Sequence, residues 1–225
     1  MKKGKFIVID GTDGSGKATQ VGILEERLKK EGYDVVVVDF PQYGNPSAFF
    51  VEKYLNGAYG SAEEVGAKRG SLFYALDRYD AKTQMEKYLQ EGKIVLANRY
   101  VSASMGHQGG KINDENKRAE FLKWLYELEY EVLGIPKPDA NIILHVSAKI
   151  GQELVDKKGH RDYVGGEKRD IHEADIEHLK MAEQSYLWIV DNYPEFSLIE
   201  CVKDDQIMTR EDIHDLIWAK VKDLV

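Results

Sequence analysis

One cysteine, Cys201, in 225 residues excludes an intrachain disulfide and any cysteine-based metal centre. No run of about 18 apolar residues occurs, which excludes a membrane-spanning helix. The apolar patch at residues 6–9, behind Met1-Lys2-Lys3, is too short for a secretion signal and stops at Asp10. A surplus of positive charge is also missing. The net charge of −8 argues against a broad nucleic-acid surface, which needs clustered Lys and Arg to neutralise phosphates. An anionic ligand held by a local group of cations remains compatible with it. Repeats, linkers and low-complexity segments are absent. These absences predict a cytoplasmic chain. Its length suits a single domain over residues 1–225, long enough for a full core and too short for two ordinary domains.

Five short apolar runs are present, at residues 5–10, 34–40, 93–98, 140–146 and 196–201. Their centres, such as Val35-Val36-Val37-Val38 and Ile142-Ile143-Leu144, are continuous rather than alternating. That pattern suits strands buried on both faces, as in a parallel sheet. Helical patterns lie between and after them at residues 20–32, 71–91, 116–133, 172–192 and 210–225, the first ending at Gly32. The alternation predicts an α/β fold: a doubly wound, five-stranded parallel sheet flanked by helices. Residues 157–169 break the pattern with five Lys or Arg, two acidic residues and three glycines, and read as a basic loop between helices.

The strongest local signal is Gly11-Thr12-Asp13-Gly14-Ser15-Gly16-Lys17, with the spacing G-x-x-x-x-G-K. Glycines allow backbone N–H groups to turn inward around phosphates, and Lys17 reaches the β and γ phosphates. The next helix presents its positive end to the same anion. The loop follows an apolar strand and opens a helix, the context that a phosphate loop of the P-loop NTPase type requires. Its cofactor-binding residues are then Gly11, Thr12, Asp13, Gly14, Ser15, Gly16, Lys17, Ala18 and Thr19. Ala18 stands where Ser or Thr usually offers a hydroxyl to Mg²⁺, and Thr19 points about 100° away. The guanine-reading signature Asn-Lys-x-Asp of a GTP switch is absent. Arg99, at the carboxyl end of the third strand, points into the ligand crevice of such a sheet, where its rigid fork can clamp a phosphate.

The chain resembles the thymidylate kinases. The likeness is carried by residues 10–20, Phe40-Pro41-Gln42-Tyr43-Gly44, Leu72-Phe73-Tyr74-Ala75-Leu76-Asp77-Arg78, Asn98-Arg99-Tyr100 with Gln108-Gly109, Pro138-Asp139 and Asp170-Ile171-His172-Glu173. The resemblance implies ATP as phosphate donor, dTMP as acceptor, Mg²⁺ as cofactor and a homodimer. It implies Lys17, Arg99, Asp13 and a lid residue, Arg161, as the catalytic set, with Lys158 and Lys168 as further lid cations and the lid at about 157–169. Phe73 is expected to stack on thymine and Arg78 to donate to the base. Asp13, Phe40, Pro41, Tyr43, Arg99, Ser104, His107, Gln108 and Asp170 are expected to complete the acceptor site. Asp13 and Glu173 are the implied metal-side carboxylates. Asp170 and Glu173, at i and i+3, share a helix face.

The sequence departs from the family at three places. Asn98 replaces the Asp that usually precedes the Arg, Ala18 lacks a hydroxyl, and His107 stands where a Tyr often packs on the deoxyribose. Two alternatives stay open on the sequence: a related P-loop kinase with a different (deoxy)nucleotide acceptor, and a catalytically impaired nucleotide-binding homologue.

Overall fold

The computed structural model describes residues 3–156, 176–204 and 206–225. Strands β1 (Lys5–Gly11), β2 (Val35–Asp39), β3 (Ile94–Asn98), β4 (Ala140–His145) and β5 (Phe196–Glu200) form one sheet in the order β2-β3-β1-β4-β5. Every neighbouring pair in it is parallel. The expected five strands are found, with ends shifted by one residue or so. Phe6, Ile7, Val8 and Ile9 of the central strand are fully buried. Each such side chain contributes about 1.5–3 kcal/mol of burial energy.

Helices cover both faces. Helix α1 (Lys17–Lys30) and α8 (Arg210–Val221) pack Leu24, Leu28, Ile213 and Ile217 against Ile7, Ile9 and Leu96. The opposite face of the sheet, with Phe6, Val8, Val95 and Ala97, meets α3 (Ala62–Gln90), α4 (Val101–Gly109), α5 (Glu115–Tyr126) and α7 (Ile176–Asn192). Helices α2 (Phe49–Leu55) and α6 (Ala148–Asp156) complete the α-helices of the described residues.

The structure corrects several expected boundaries. Helix α3 begins nine residues before position 71, because Ser61 and Glu64 form a reciprocal cap: Glu64 N–H donates to Ser61 Oγ (3.2 Å) and Ser61 N–H to Glu64 Oε2 (2.8 Å). The helical pattern visible in the sequence is the part after Gly66, whose φ of +72° interrupts the helix. The predicted helix 116–133 is α5 followed by a π-helical turn, Glu127–Val132. After β5, β6 (Val202–Lys203) and β7 (Gln206–Ile207) pair antiparallel. The expected lid at 157–169, with Lys158, Arg161 and Lys168, lies outside the described residues, as do Asp170 and Glu173.

Candidate active site

Strand β1 runs into the glycine-rich loop and α1 leaves it. Glycine is required at Gly11 because a Cβ there would sit 2.0 Å from the Leu144 carbonyl oxygen of β4. At Gly16 no atom lies within 4 Å of a Cβ, and the requirement is conformational, φ being +87°. Thr12 pins the loop to the end of β4, its hydroxyl donating to Val146 O (2.9 Å) and accepting from Val146 N–H (3.2 Å). The Ser15 hydroxyl is buried with no partner among the described residues. Lys17 is buried; its ammonium donates to the carbonyls of Gly11 (3.2 Å) and Thr12 (2.9 Å) and lies 3.7 Å from Asp13 Oδ1.

A crevice enclosing about 310 Å³ opens beside this loop, at the carboxyl ends of the strands, where open α/β sheets bind ligands. The loop and α1 contribute Asp13, Gly14, Gly16, Lys17 and Ala18. The end of β2 and its turn add Asp39, Phe40, Pro41 and Tyr43. Tyr74 and Arg78 come from α3, Asn98, Arg99 and Tyr100 from the end of β3, and Ala103, Ser104, His107 and Gln108 from α4. The Phe40–Pro41 peptide is cis. Asp77 holds the following turn, accepting from the Gln42 backbone N–H (2.9 Å) and from Ser47 Oγ (2.7 Å).

Arg99 adopts φ +64°, a left-handed conformation that a non-glycine residue holds only where its surroundings enforce it. Its guanidinium donates to Asp13 Oδ1 and to His107 Nε2 (3.0 Å), and it stands 3.9 Å from Asp10. Burial would raise the Asp13 carboxyl, but Arg99, and then Lys17, hold it well below the usual carboxylate range. Burial first, and the Arg99 charge beside it, keep His107 neutral. Its Nε2 accepts from Arg99, which leaves the proton on Nδ1. Asp10 is fully buried and engaged by Gly11 N–H (2.8 Å), Ser102 Oγ (2.6 Å) and Tyr186 Oη (3.1 Å).

At the other end of the crevice Arg78 is 1% exposed. Its Nε donates to Glu129 Oε2 (3.2 Å), Nη1 to the Tyr100 carbonyl (3.2 Å), and Nη2 to Ser104 Oγ (3.0 Å) and Glu129 Oε1. Four of the five guanidinium N–H groups are thereby engaged, and one on Nη1 is left for a ligand. Gln108 is also buried, with Oε1 lacking a partner among the described residues.

The structure thus brings together Asp13, Gly14, Gly16, Lys17, Ala18, Phe40, Pro41, Tyr43, Arg78, Arg99, Ser104, His107 and Gln108. Gly11, Thr12 and Ser15 shape the loop without lining the crevice, and Phe73 does not line it either. Thr19, one helical step of about 100° beyond Ala18, is not among the lining residues. The Phe73 placement needs correction: its ring packs among Phe50 (6.1 Å), Tyr54 (5.6 Å) and Tyr59 (5.2 Å), and Tyr74 lines the crevice instead. The reason is helical phase. A ring four residues before Arg78 lies about 40° from it around the helix, and one five residues before lies about 140° away. Sequence reasoning also missed Asp39, whose carboxyl is raised by burial against the hydrogen bond from Asn98. It missed Glu129 as well, which reads as one more surface glutamate. The i, i+4 rule was the signal for Tyr74; for Glu129 there was none.

A family model described as thymidylate kinase matches residues 9–205. A thymidylate kinase of Mycobacterium tuberculosis is 31% identical over 173 residues, covering 76% of this chain and 79% of that protein. One of Halothermothrix orenii is 30% identical over 223 residues, covering 98% and 97%. Among solved structures, thymidylate kinase from Candida albicans superposes with a TM-score of 0.74 at 19% identity, covering 99% of this chain and 92% of that one; that likeness speaks for the fold. With a phosphate loop, a Phe-Pro turn and two arginines around one crevice, and with these relatives, the chain belongs to the thymidylate kinase family.

Proposed function

We propose that the chain transfers the γ-phosphate of ATP to dTMP, giving ADP and dTDP, with the crevice residues in the following roles. The observation that carries this reading is the convergence of Lys17 and Arg99 on Asp13 at one end of the crevice, with Arg78 and Tyr74 at the same cavity's other wall. Phosphoryl transfer through a loose transition state needs positioning and charge neutralisation more than covalent help. The loop amides and Lys17 hold the donor's phosphates, and Arg99 bridges to the acceptor phosphate. Asp13 keeps the two cations aimed into the crevice. Phe40, Pro41 and Tyr43 flank the acceptor. Tyr74 stacks on the base, the free Arg78 N–H donates to a base carbonyl, and Ser104 and Gln108 supply further polar edges. Neutral His107 packs beside the sugar.

The residues present fit a hydrated Mg²⁺ modestly. Asp13 and Asp39 are hard oxygen donors, and Asn98 Oδ1 is a buried acceptor without a partner among the described residues. Among the described residues no three His, Cys, Asp or Glu side chains form a metal-holding group; Asp13, Asp39 and Asn98 would hold the ion through its waters, together with the nucleotide phosphates. When bound, the ion neutralises charge on the β and γ phosphates. Arg161, from the basic segment 157–169, is proposed as an added cation over the transferred group, with Asp170 and Glu173 on the acceptor and metal sides; the composition of that segment and the family resemblance support this. Leu72, Leu76 and Tyr79, exposed at i, i+4 and i+7 on α3 beside exposed Phe49 and Phe50, support a homodimer through this face. No described helix is long and apolar enough to cross a membrane, and the lone cysteine is unpaired and buried; a cytoplasmic location is consistent with both.

The test is ADP formation from ATP and Mg²⁺ across dTMP, dUMP, dCMP, dGMP and the ribonucleotide counterparts. dTMP is expected to give the highest kcat/KM. A faster acceptor of another base removes the thymine assignment, and no ADP with any acceptor removes the kinase reading. Tyr74→Ala is expected to raise the KM for dTMP by roughly 5–150-fold, the loss of about 1–3 kcal/mol of stacking, with little change in the KM for ATP. Phe73→Ala is expected to leave both within about twofold and to lower the melting temperature, since only packing is lost. The reverse pattern would restore Phe73 as the stacking ring.

A further inference from the structure

Side chains alternate along a strand, and the core shows which way each one faces. Val35, Ile94 and Leu96 pack on the α1 side of the sheet, whereas Val95, Ala97 and Phe40 pack on the other. Two-residue steps from Val35 and Leu96 therefore carry Asp39 and Asn98 to the α1 side, toward the helix that starts at Lys17. The two are register partners across β2 and β3, and Asn98 Nδ2 donates to Asp39 Oδ1 at 2.9 Å. Asn98 Oδ1 is shut away from solvent with no hydrogen-bond partner among the described residues. Both residues line the crevice with Gly16, Lys17 and Ala18.

Of the other carboxylates near the loop, Asp10 is engaged at both oxygens by Gly11, Ser102 and Tyr186, whereas Asp13 is held through Oδ1 by two cations, Arg99 and Lys17, that pull it toward the loop. The hydroxyl that would follow Lys17 is missing at Ala18. Resting on the nucleotide-loop reading above, we propose that Asp39 supplies the carboxylate that holds the hydrated magnesium of the bound nucleotide, displaced by one strand from position 98, with Asn98 Oδ1 as a second, neutral acceptor. Mg²⁺ keeps several of its waters in such sites, and a carboxylate beside an amide oxygen can accept hydrogen bonds from them. The exchange is self-consistent. Carboxylates at both 39 and 98 would repel at register distance, whereas an amide at 98 donates into Asp39 and fixes its orientation.

The experiment uses the full chain with ADP and Mn²⁺ as an EPR-active probe, comparing wild type, Asp39→Asn, Asn98→Asp and the double exchange Asp39→Asn/Asn98→Asp. Asp39→Asn is expected to weaken Mn²⁺ binding to the protein–ADP complex by roughly 10–100-fold. The double exchange is expected to recover most of it. ADP affinity in EDTA and the melting temperature should stay near wild type. Unchanged Mn²⁺ affinity in a folded Asp39→Asn protein overturns the proposal. Equal loss of ADP affinity in EDTA overturns it too, because the defect would then lie in the loop. Wild-type protein that binds no ADP in EDTA overturns the nucleotide reading itself, and this proposal with it.

Discussion

Replacing Lys17 by alanine is expected to lower kcat for dTDP formation by about 10³-fold, the scale of removing one donor aimed at transition-state charge, while the protein stays folded. The site geometry argues for both halves. The ammonium lies at the first position of α1, within reach of Gly11 O, Thr12 O and Asp13, at the place where the loop turns around a phosphate chain. Its loss leaves a transferring group with Arg99 alone among the described crevice cations on that side. Stability suffers less. Asp13 keeps its ion pair with Arg99, and the two freed carbonyls are on a loop already pinned by Thr12 to Val146. Steady-state ADP release at saturating dTMP, with a melting curve beside it, checks both. Wild-type turnover in the variant would remove the phosphate loop from the mechanism.

The parts of this site that were legible in the sequence are those fixed by local rules. The loop reads directly, because each glycine answers a backbone demand such as the 2.0 Å approach to Leu144 at Gly11. The strands read because burial on both faces leaves continuous apolar runs. Helix α4, which carries Ser104, His107 and Gln108, did not read as a helix. Its sequence VSASMGHQG is short and rich in Ser and Gly, and most of it is buried, so no apolar stripe is visible. Gly106 is there for contact: a Cβ would meet the Tyr186 ring at 2.4 Å. The error over Phe73 was one of phase along a correctly expected helix. Asp39 was readable in principle, since alternation from Val35 places it beside Asn98, but only the register of β2 against β3 makes them partners. Glu129 was not readable at all, because nothing local distinguishes a glutamate that will be buried against Arg78, 51 positions away.

That pair carries the second large effect. Glu129→Ala is expected to destabilise the protein by about 3–5 kcal/mol, the usual result of leaving one member of a buried ion pair unpaired. For a domain of this size that is a fall in melting temperature of roughly 6–20 °C. Both side chains are within 2% of complete burial, so the Arg78 charge cannot turn to solvent for compensation. The Tyr100 carbonyl and Ser104 hydroxyl satisfy only part of its fork. Replacing both residues, as in Arg78→Met/Glu129→Leu, is expected to regain most of the stability, because no buried charge then remains. It should not regain dTMP affinity, because the single N–H left for the base goes with Arg78. Thermal denaturation of the single and double variants, with the dTMP KM measured on the double, separates the two roles. A stable Glu129→Ala protein would show that Arg78 finds another partner, and a double variant with normal dTMP KM would show that Arg78 is part of the core and not of base recognition.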